Sequence, residues 1–279
     1  MKTAIALGTF DGLHAGHRAV LEKTLGFFSI AVTFDIPPKS IITGEPQLLI
    51  LPEERANRMK QLGVNQVEIQ KFEEVRNIEA KEYLETLKQK YNPERIVCGF
   101  NYRFGKNAEG DTLLLAKFCE QNNIEFICVP PVLTSGVAIS STYIRNLVRD
   151  GEIQKANSLI YGGFSFGAAV LHGDARGRKL GFPTANQKYP EGMVSLKKGV
   201  YISNITIDGK AYKAITNIGI RPTYKTETIT CESYIKDFSG DIYDKEVKIS
   251  LLRFVREEQK FNSPEELKNA IANDVKLLD

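Results

Sequence analysis

The 279-residue chain has three histidines, four cysteines and no apolar run that reaches membrane length. Its longest apolar stretch, LGFFSIAVTF, falls far short of the roughly 20 residues a spanning helix needs. No small-residue cleavage site follows Lys2 and the short apolar run that breaks at Asp11. A cytoplasmic protein without a membrane partner is expected. Cys98, Cys119, Cys128 and Cys231 form no CxxC pair, which argues against a zinc ribbon or a disulfide framework and leaves isolated reduced thiols. The 37 basic and 34 acidic side chains are interspersed and leave a formal charge of +3, with no basic block, so nucleic acid is not an expected partner. Neither GxxxxGK[ST] nor a strand followed by GxGxxG occurs, which sets aside P-loop kinases and dinucleotide oxidoreductases. Low-complexity segments and internal repeats are also missing, and self-association is left open.

What is present has the length of two domains. Up to about residue 150, β-rich runs (TAIALG, FFSIAVTF, QVEIQKF, RIVCGF, EFICVPPV) alternate with helical patterns starting near His14, Pro52, Ile78, Asp111 and Ser141. That rhythm predicts a doubly wound parallel sheet whose site lies at the carboxyl ends of the strands. Ser140 or Ser141 suits the N-cap of the last helix. After YGGF at Tyr161 to Phe164 the pattern changes to successive strands, FGAAVL, GVYISNITI, KAYKAITNI, TITCESYI and KEVKISLLRFV, which predict an antiparallel barrel or sandwich. Asp208-Gly209 suits a tight hairpin turn, and Ser263, Pro264 and Glu266 form a capping box for one C-terminal helix. The expected division is 1–161 and 162–279.

Two of the three histidines fall in GTFDGLHAGH, Gly8 to His17. A strand ending at Gly8, turning through Gly12 and Gly16 and entering a helix at about His17, offers backbone N–H groups and a positive helix end to an anion. His14 and His17 beside that site can stabilise charge on a transferring phosphoryl group without acting as nucleophiles. Turn-capping histidines are the bland alternative; a zinc site lacks a third ligand nearby. In ISSTYIR, Ser141, Thr142 and Arg145 open a helix and offer hydroxyls and a guanidinium to phosphate oxygens; a plain capped amphipathic helix is the alternative. The stretch GAAVLHGDARGRKLGFPTAN concentrates glycine and arginine in a loop that follows a strand, suited to close phosphate approach, with an ordinary barrel hairpin loop as the alternative.

These motifs resemble two families. GTFDGLHAGH, with GFNYRFG and ISSTYIR, resembles the flavin branch of the HxGH nucleotidyltransferases, which transfer AMP from ATP to an acceptor phosphate. GRKLGFPTAN, NIGIRPT and CESYIKDFSGDIYDK resemble the riboflavin kinases. Together the chain is similar to the bacterial bifunctional riboflavin kinase/FMN adenylyltransferases, the prokaryotic FAD synthetases. The resemblance implies a Rossmann-like first domain and a β-barrel second domain. It also implies riboflavin, FMN and ATP as substrates and Mg²⁺ as cofactor. For the residues, it implies catalytic roles for His14, His17 and Arg145 in adenylyl transfer and for Glu232 as the kinase base. ATP would be bound by Gly8, Phe10, Asp11, Gly16, Ser141 and Thr142 in the first domain and by Gly173, Gly177 and Arg178 in the second. Asn101, Arg103 and Arg221 would address the flavin, and Thr184 and Asn186 would hold Mg²⁺ with the ATP phosphates. His172 receives no catalytic role, and Pro37 stands where family members commonly carry a histidine. The rivals are an HxGH transferase for another acceptor phosphate and a flavin-binding regulator that has lost one chemistry.

Overall fold

The computed structural model describes residues 2–279 apart from 46, 135, 174–176, 178–180 and 223–226, and of residues 39, 42, 221, 222, 227 and 228 only the backbone. Two compact units result: residues 1–144 with 159–162, and residues 145–158 with 163–279.

In the first unit, β1 (Thr3–Leu7), β2 (Phe28–Phe34), β3 (Gln66–Gln70), β4 (Arg95–Gly99) and β5 (Glu125–Val129) pair in parallel in the order β3-β2-β1-β4-β5. TAIAL and FSIAVTF read as nearly continuous apolar runs because both faces of the central strands are covered. On one face Ile5, Leu7, Ile30, Val32, Ile96 and Cys98 pack against Tyr83, Leu84 and Leu87, and against Leu115, Phe118 and Cys119. The connecting helices are α1 (Ala15–Glu22), α2 (Pro38–Thr43), α3 (Pro52–Gln61), α4 (Phe72–Val75), α5 (Ala80–Tyr91) and α6 (Thr112–Gln121). In α3 a proline and two glutamates occupy the first turn and Arg58 and Lys60 the last, as the helix dipole favours. Asp111 caps α6 by accepting from the amides of Leu113 (3.0 Å) and Leu114 (2.9 Å). The strand order reverses between β1 and β4, so a crevice opens beyond the carboxyl ends of those two strands. GTFDGLHAGH follows one and GFNYRFG the other.

A two-stranded hairpin, β6 (Leu133–Thr134) and β7 (Val137–Ala138), leads to α7 (Ser141–Arg149) and α8 (Ile153–Leu159). Ser140 is the cap of α7: its Oγ accepts from the Tyr143 amide at 3.2 Å, which leaves the Ser141 hydroxyl for another partner. α8 belongs to the second unit through Asn157, whose Nδ2 donates to Leu251 O (2.8 Å) while its Oδ1 accepts from the Phe164 amide (2.7 Å).

The second unit is a closed barrel, which settles the choice between barrel and sandwich. Its strands are β8 (Ser165–Leu171), β9 (Thr184–Lys188), β10 (Gly199–Ile207), β11 (Lys210–Pro222), β12 (Glu227–Ile235) and β13 (Glu246–Arg256), joined in the order β10-β11-β12-β9-β8-β13. Asp208 and Gly209 both take positive φ, 48° and 82°, in the two-residue turn between β10 and β11. Helix α9 (Pro264–Lys276) starts as expected: Ser263 Oγ accepts from Glu266 N, and the Glu266 carboxylate reaches back to Asn262 N.

Two local expectations change. α1 begins at Ala15, as the helical pattern from His14 predicts and two residues before the entry at His17, because His14 is extended (φ −67°, ψ 172°) and serves as N-cap. The glycine-rich loop stops before its predicted end, since Thr184–Lys188 form β9. TANQK gives no apolar alternation because its inward residues are a small alanine and a glutamine.

Candidate active sites

The turn after β1 coils through three left-handed residues: Phe10 (φ 49°), Gly12 (φ 90°) and Leu13 (φ 43°). Left-handed backbone at a phenylalanine and a leucine is strained and persists only where the surroundings enforce it. Both side chains are wholly buried. A side chain at Gly12 would meet Leu49 Cδ1 at 2.9 Å, so glycine is required there for space as well as for φ. The coil leads directly into the first turn of α1 and sets the two histidines side by side. Their rings stack with centroids 3.7 Å apart, and Phe10 meets His17 edge-on at 5.6 Å. Gly16 makes this possible, because a Cβ there would press on the His14 ring at 3.2 Å. Gly8 in turn lies under the Phe10 ring, which a methyl group in its place would meet at 3.1 Å.

Asp11 is also wholly buried, and its carboxylate faces inward. Its Oδ1 accepts from the amides of Leu49 (2.9 Å) and Ile50 (3.2 Å), fastening a buried strap across the turn. The Ser141 hydroxyl donates to the Asp11 carbonyl at 2.8 Å, so the start of α7 is tied to the same turn. Beneath them Arg55 is buried and donates to Phe34 O. Burial pulls its guanidinium below the usual value, while Asp11 and Asp35 pull it back up. The structure therefore brings together Gly8, Phe10, Asp11, His14, Gly16, His17 and Ser141; Thr142 follows, exposed, on α7. Arg145 lies one helical turn beyond Ser141 and is 5% exposed. Phe10 and Asp11 are buried and hold the shape of the turn.

After β4, alternation sorts GFNYRFG into two sets. Tyr102 and Phe104 are buried, stacked at 5.6 Å, whereas Asn101 and Arg103 point outward, with Arg103 Nη1 3.6 Å from an Asp111 oxygen. Phe104 and Gly110 exchange both backbone hydrogen bonds, and any side chain at Gly110 would strike the Phe104 ring. The outward pair is thus presented by a rigid anchor.

In the barrel the decisive fact is register. Glu232 on β12 lies directly opposite Asn186 on β9, and Tyr234 opposite Thr184. On its other side Glu232 faces Asn217 of β11. Cys231, Ser233, Ala185 and Gln187 are buried inside the barrel, so Thr184, Asn186, Asn217 and Glu232 share its outer face. Gly173 and Gly177 close over this face: a Cβ on Gly173 would collide with the Asn186 amide, and one on Gly177 with Phe182 O while lying 3.3 Å from Thr184 Oγ1. Asn217, which NIGIRPT contains but motif reading does not single out, also donates to Glu258 at 3.2 Å. Its signal is positional and visible only once β11 and β12 are paired. Arg178 lies outside the described residues, and Arg221 is placed by its backbone alone. His172 stacks on Tyr243 at 4.0 Å.

Among the described residues no helix is long and apolar enough to cross a membrane. Residues 1–143 match the FAD synthetase family and residues 163–279 the riboflavin kinase family. The bifunctional riboflavin kinase/FMN adenylyltransferase of Listeria monocytogenes is 32% identical, over 94% of this chain and 87% of its own length. The Bacillus subtilis protein of that description is 30% identical over 98% and 90%. A solved structure described as a macrolide-efflux protein from Streptococcus pneumoniae superposes with a TM-score of 0.88, at 30% identity, over 99% of this chain and 93% of that one. Efflux is said of that protein alone.

Proposed function

The chain belongs to the bifunctional riboflavin kinase/FMN adenylyltransferase family, and we propose that it makes FAD in two steps on two separate sites. The barrel phosphorylates riboflavin with ATP to FMN and ADP; the parallel-sheet unit transfers AMP from a second ATP to FMN, releasing pyrophosphate. The observation that carries this reading is that the two matched families fall on different halves of the chain. The working boundary is 161/162, and the setting is the cytoplasm.

For adenylyl transfer, the N-terminus of α1 would bind triphosphate oxygens, with Gly8 and Gly16 leaving room. His14 and His17 would donate hydrogen bonds as charge builds on the α-phosphate. Ser141, Thr142 and Arg145 would hold the remaining phosphates, Phe10 and Asp11 would keep the turn in shape, and Asn101 and Arg103 would orient FMN. Since FMN's own phosphate is the nucleophile, no protein nucleophile is needed.

For the kinase step, Glu232 would accept the proton of the ribityl terminal hydroxyl as its oxygen attacks the γ-phosphorus. Thr184 and Asn186 fit Mg²⁺, since a hydroxyl and an amide oxygen are hard neutral donors that leave positions for water and phosphate. Glycine at 173 and 177 lets the loop lie directly against both residues, where any side chain would collide. Mg²⁺ would there neutralise phosphate charge. Gly173, Gly177 and Arg178 would line the ATP phosphates, and Arg221 the flavin. Incubation with riboflavin, ATP and Mg²⁺ followed by chromatography of the flavins tests the reading: FMN and then FAD are expected, and unchanged riboflavin would refute it.

A further inference from the structure

The barrel interior is not uniformly apolar. Ser203, Thr216, Ser233 and Gln187, on β10, β11, β12 and β9, are each at most 1% exposed and touch in succession. Ser203 Oγ lies 2.7 Å from Thr216 Oγ1, Thr216 Oγ1 2.9 Å from Ser233 Oγ, and the Gln187 amide end 3.4 Å from Ser233 Oγ. Turned to satisfy its neighbours, the Gln187 nitrogen donates to the carbonyls of Cys231 (2.9 Å) and Ala185 (3.2 Å). Ser203 closes the far end by donating to Ala214 O at 3.3 Å. The hydroxyls of Ser233, Thr216 and Ser203 can then donate one to the next and on to Ala214 O, a satisfied chain across three strands, while Gln187, packed against Ser233, ties β9 to the Cys231 carbonyl of β12.

Three of the four inner members are sequence neighbours of outer ones: Thr216 of Asn217, Ser233 of Glu232, Gln187 of Asn186. A one-residue slip between β12 and β9 is already forbidden, because it would turn Glu232 into the core. A two-residue slip keeps every side chain on its proper face and would still move Glu232 away from Asn186. Apolar packing discriminates poorly against that error, whereas specific hydroxyl and amide pairs do. The region needs such a marker. β9 has five residues and pairs with β8 at only Val170↔Gln187 and Leu171↔Asn186, and the β10–β13 register shifts at Ile202/Ser203.

We propose that the buried chain Ser203–Thr216–Ser233–Gln187 is a positioning element for phosphoryl transfer, fixing the register that sets Glu232 against Asn186. The functional part rests on the reading of this unit as the riboflavin kinase. Its members are positioning residues and touch no substrate.

Thr216→Val keeps the side-chain shape and removes the central hydroxyl. In the full-length protein we expect the kcat of riboflavin phosphorylation to fall about tenfold, with KM for ATP changed less than about twofold and FMN adenylylation unchanged. Thr216→Ser should restore the rate. Hydrogen exchange should accelerate at the amides of 184–188 and 229–235 and stay unchanged between β8 and β13. Should Thr216→Val not fold, Gln187→Met, which leaves all three hydroxyls, carries the same test. Full kcat in a folded variant, a loss that Thr216→Ser does not repair, or uniformly faster exchange through the barrel would overturn the proposal. Absence of riboflavin phosphorylation in the unaltered protein would instead refute the kinase reading, and the exchange pattern would still decide whether the chain sets register.

Discussion

The two units build their sites in opposite ways. In the parallel sheet the proposed functional groups sit past the ends of strands, on a turn bent through left-handed Phe10, Gly12 and Leu13 and on the first turns of helices. In the barrel they sit in mid-strand, where Glu232 meets Asn186 because two strands are paired in one register and no other. The first arrangement depends on backbone shape held from beneath, by Asp11 on the Leu49 and Ile50 amides and by Ser141 on the Asp11 carbonyl. The second depends on which residue faces which. A loop site is sensitive to whatever relaxes the loop; a strand site is sensitive to whatever lets strands slide.

The contrast can be broken by substitution, most severely at the reacting groups. Glu232→Gln should lower riboflavin phosphorylation by about 10²- to 10⁴-fold while FAD formation from supplied FMN continues, as steady-state assays of the two half-reactions would show. His14→Ala should do the reverse, lowering FMN adenylylation by about 10²- to 10³-fold and leaving FMN to accumulate from riboflavin. One level below, Asp11→Ala strands two buried amides and leaves the Arg55 charge without one of its counter-charges. Urea unfolding should report a loss of about 3–5 kcal/mol, with adenylyltransferase activity failing before kinase activity. Gly173→Ala pushes a methyl into the Asn186 amide and should reduce only the kinase rate, by about tenfold.

The smallest effect concerns the cysteines, which distinguish the units only by burial. Cys98, Cys119 and Cys231 are buried, and desolvation pushes each thiol up to about 12. A raised thiol pKa means the reactive thiolate is scarce until the pH approaches that value. Iodoacetamide at about pH 8, near the ordinary thiol pKa, should therefore label native protein at exposed Cys128 alone, as peptide mass mapping would show.

Sequence carries these two kinds of site unequally. GTFDGLHAGH is contiguous, so its glycines, histidines and following helix can be read together as an anion site, and the alternation of strands with helices places it at a strand end. The positive φ of Phe10 and Leu13 leaves no trace in residue type, because tertiary packing, not propensity, imposes it. Nor does the inward turn of Asp11, whose partners lie 38 and 39 residues away. In the barrel, Thr184 and Glu232 are far apart in the chain, and β9 is hidden because its core residues are Ala185 and Gln187. Glu232 stands out by resemblance; read as a residue, it is an ordinary solvent-facing carboxylate. What joins it to Asn186 and Asn217 is pairing, which a single sequence does not display.

The central claim is that each site completes its own reaction and that FMN is the only thing one must hand to the other. Mixing the His14→Ala protein with the Glu232→Gln protein, in riboflavin, ATP and Mg²⁺, tests it directly. Neither variant alone should turn riboflavin into FAD at an appreciable rate, and the mixture should do so through free FMN. A mixture that accumulates FMN and yields no FAD, under conditions where the unaltered protein makes both, would contradict the account.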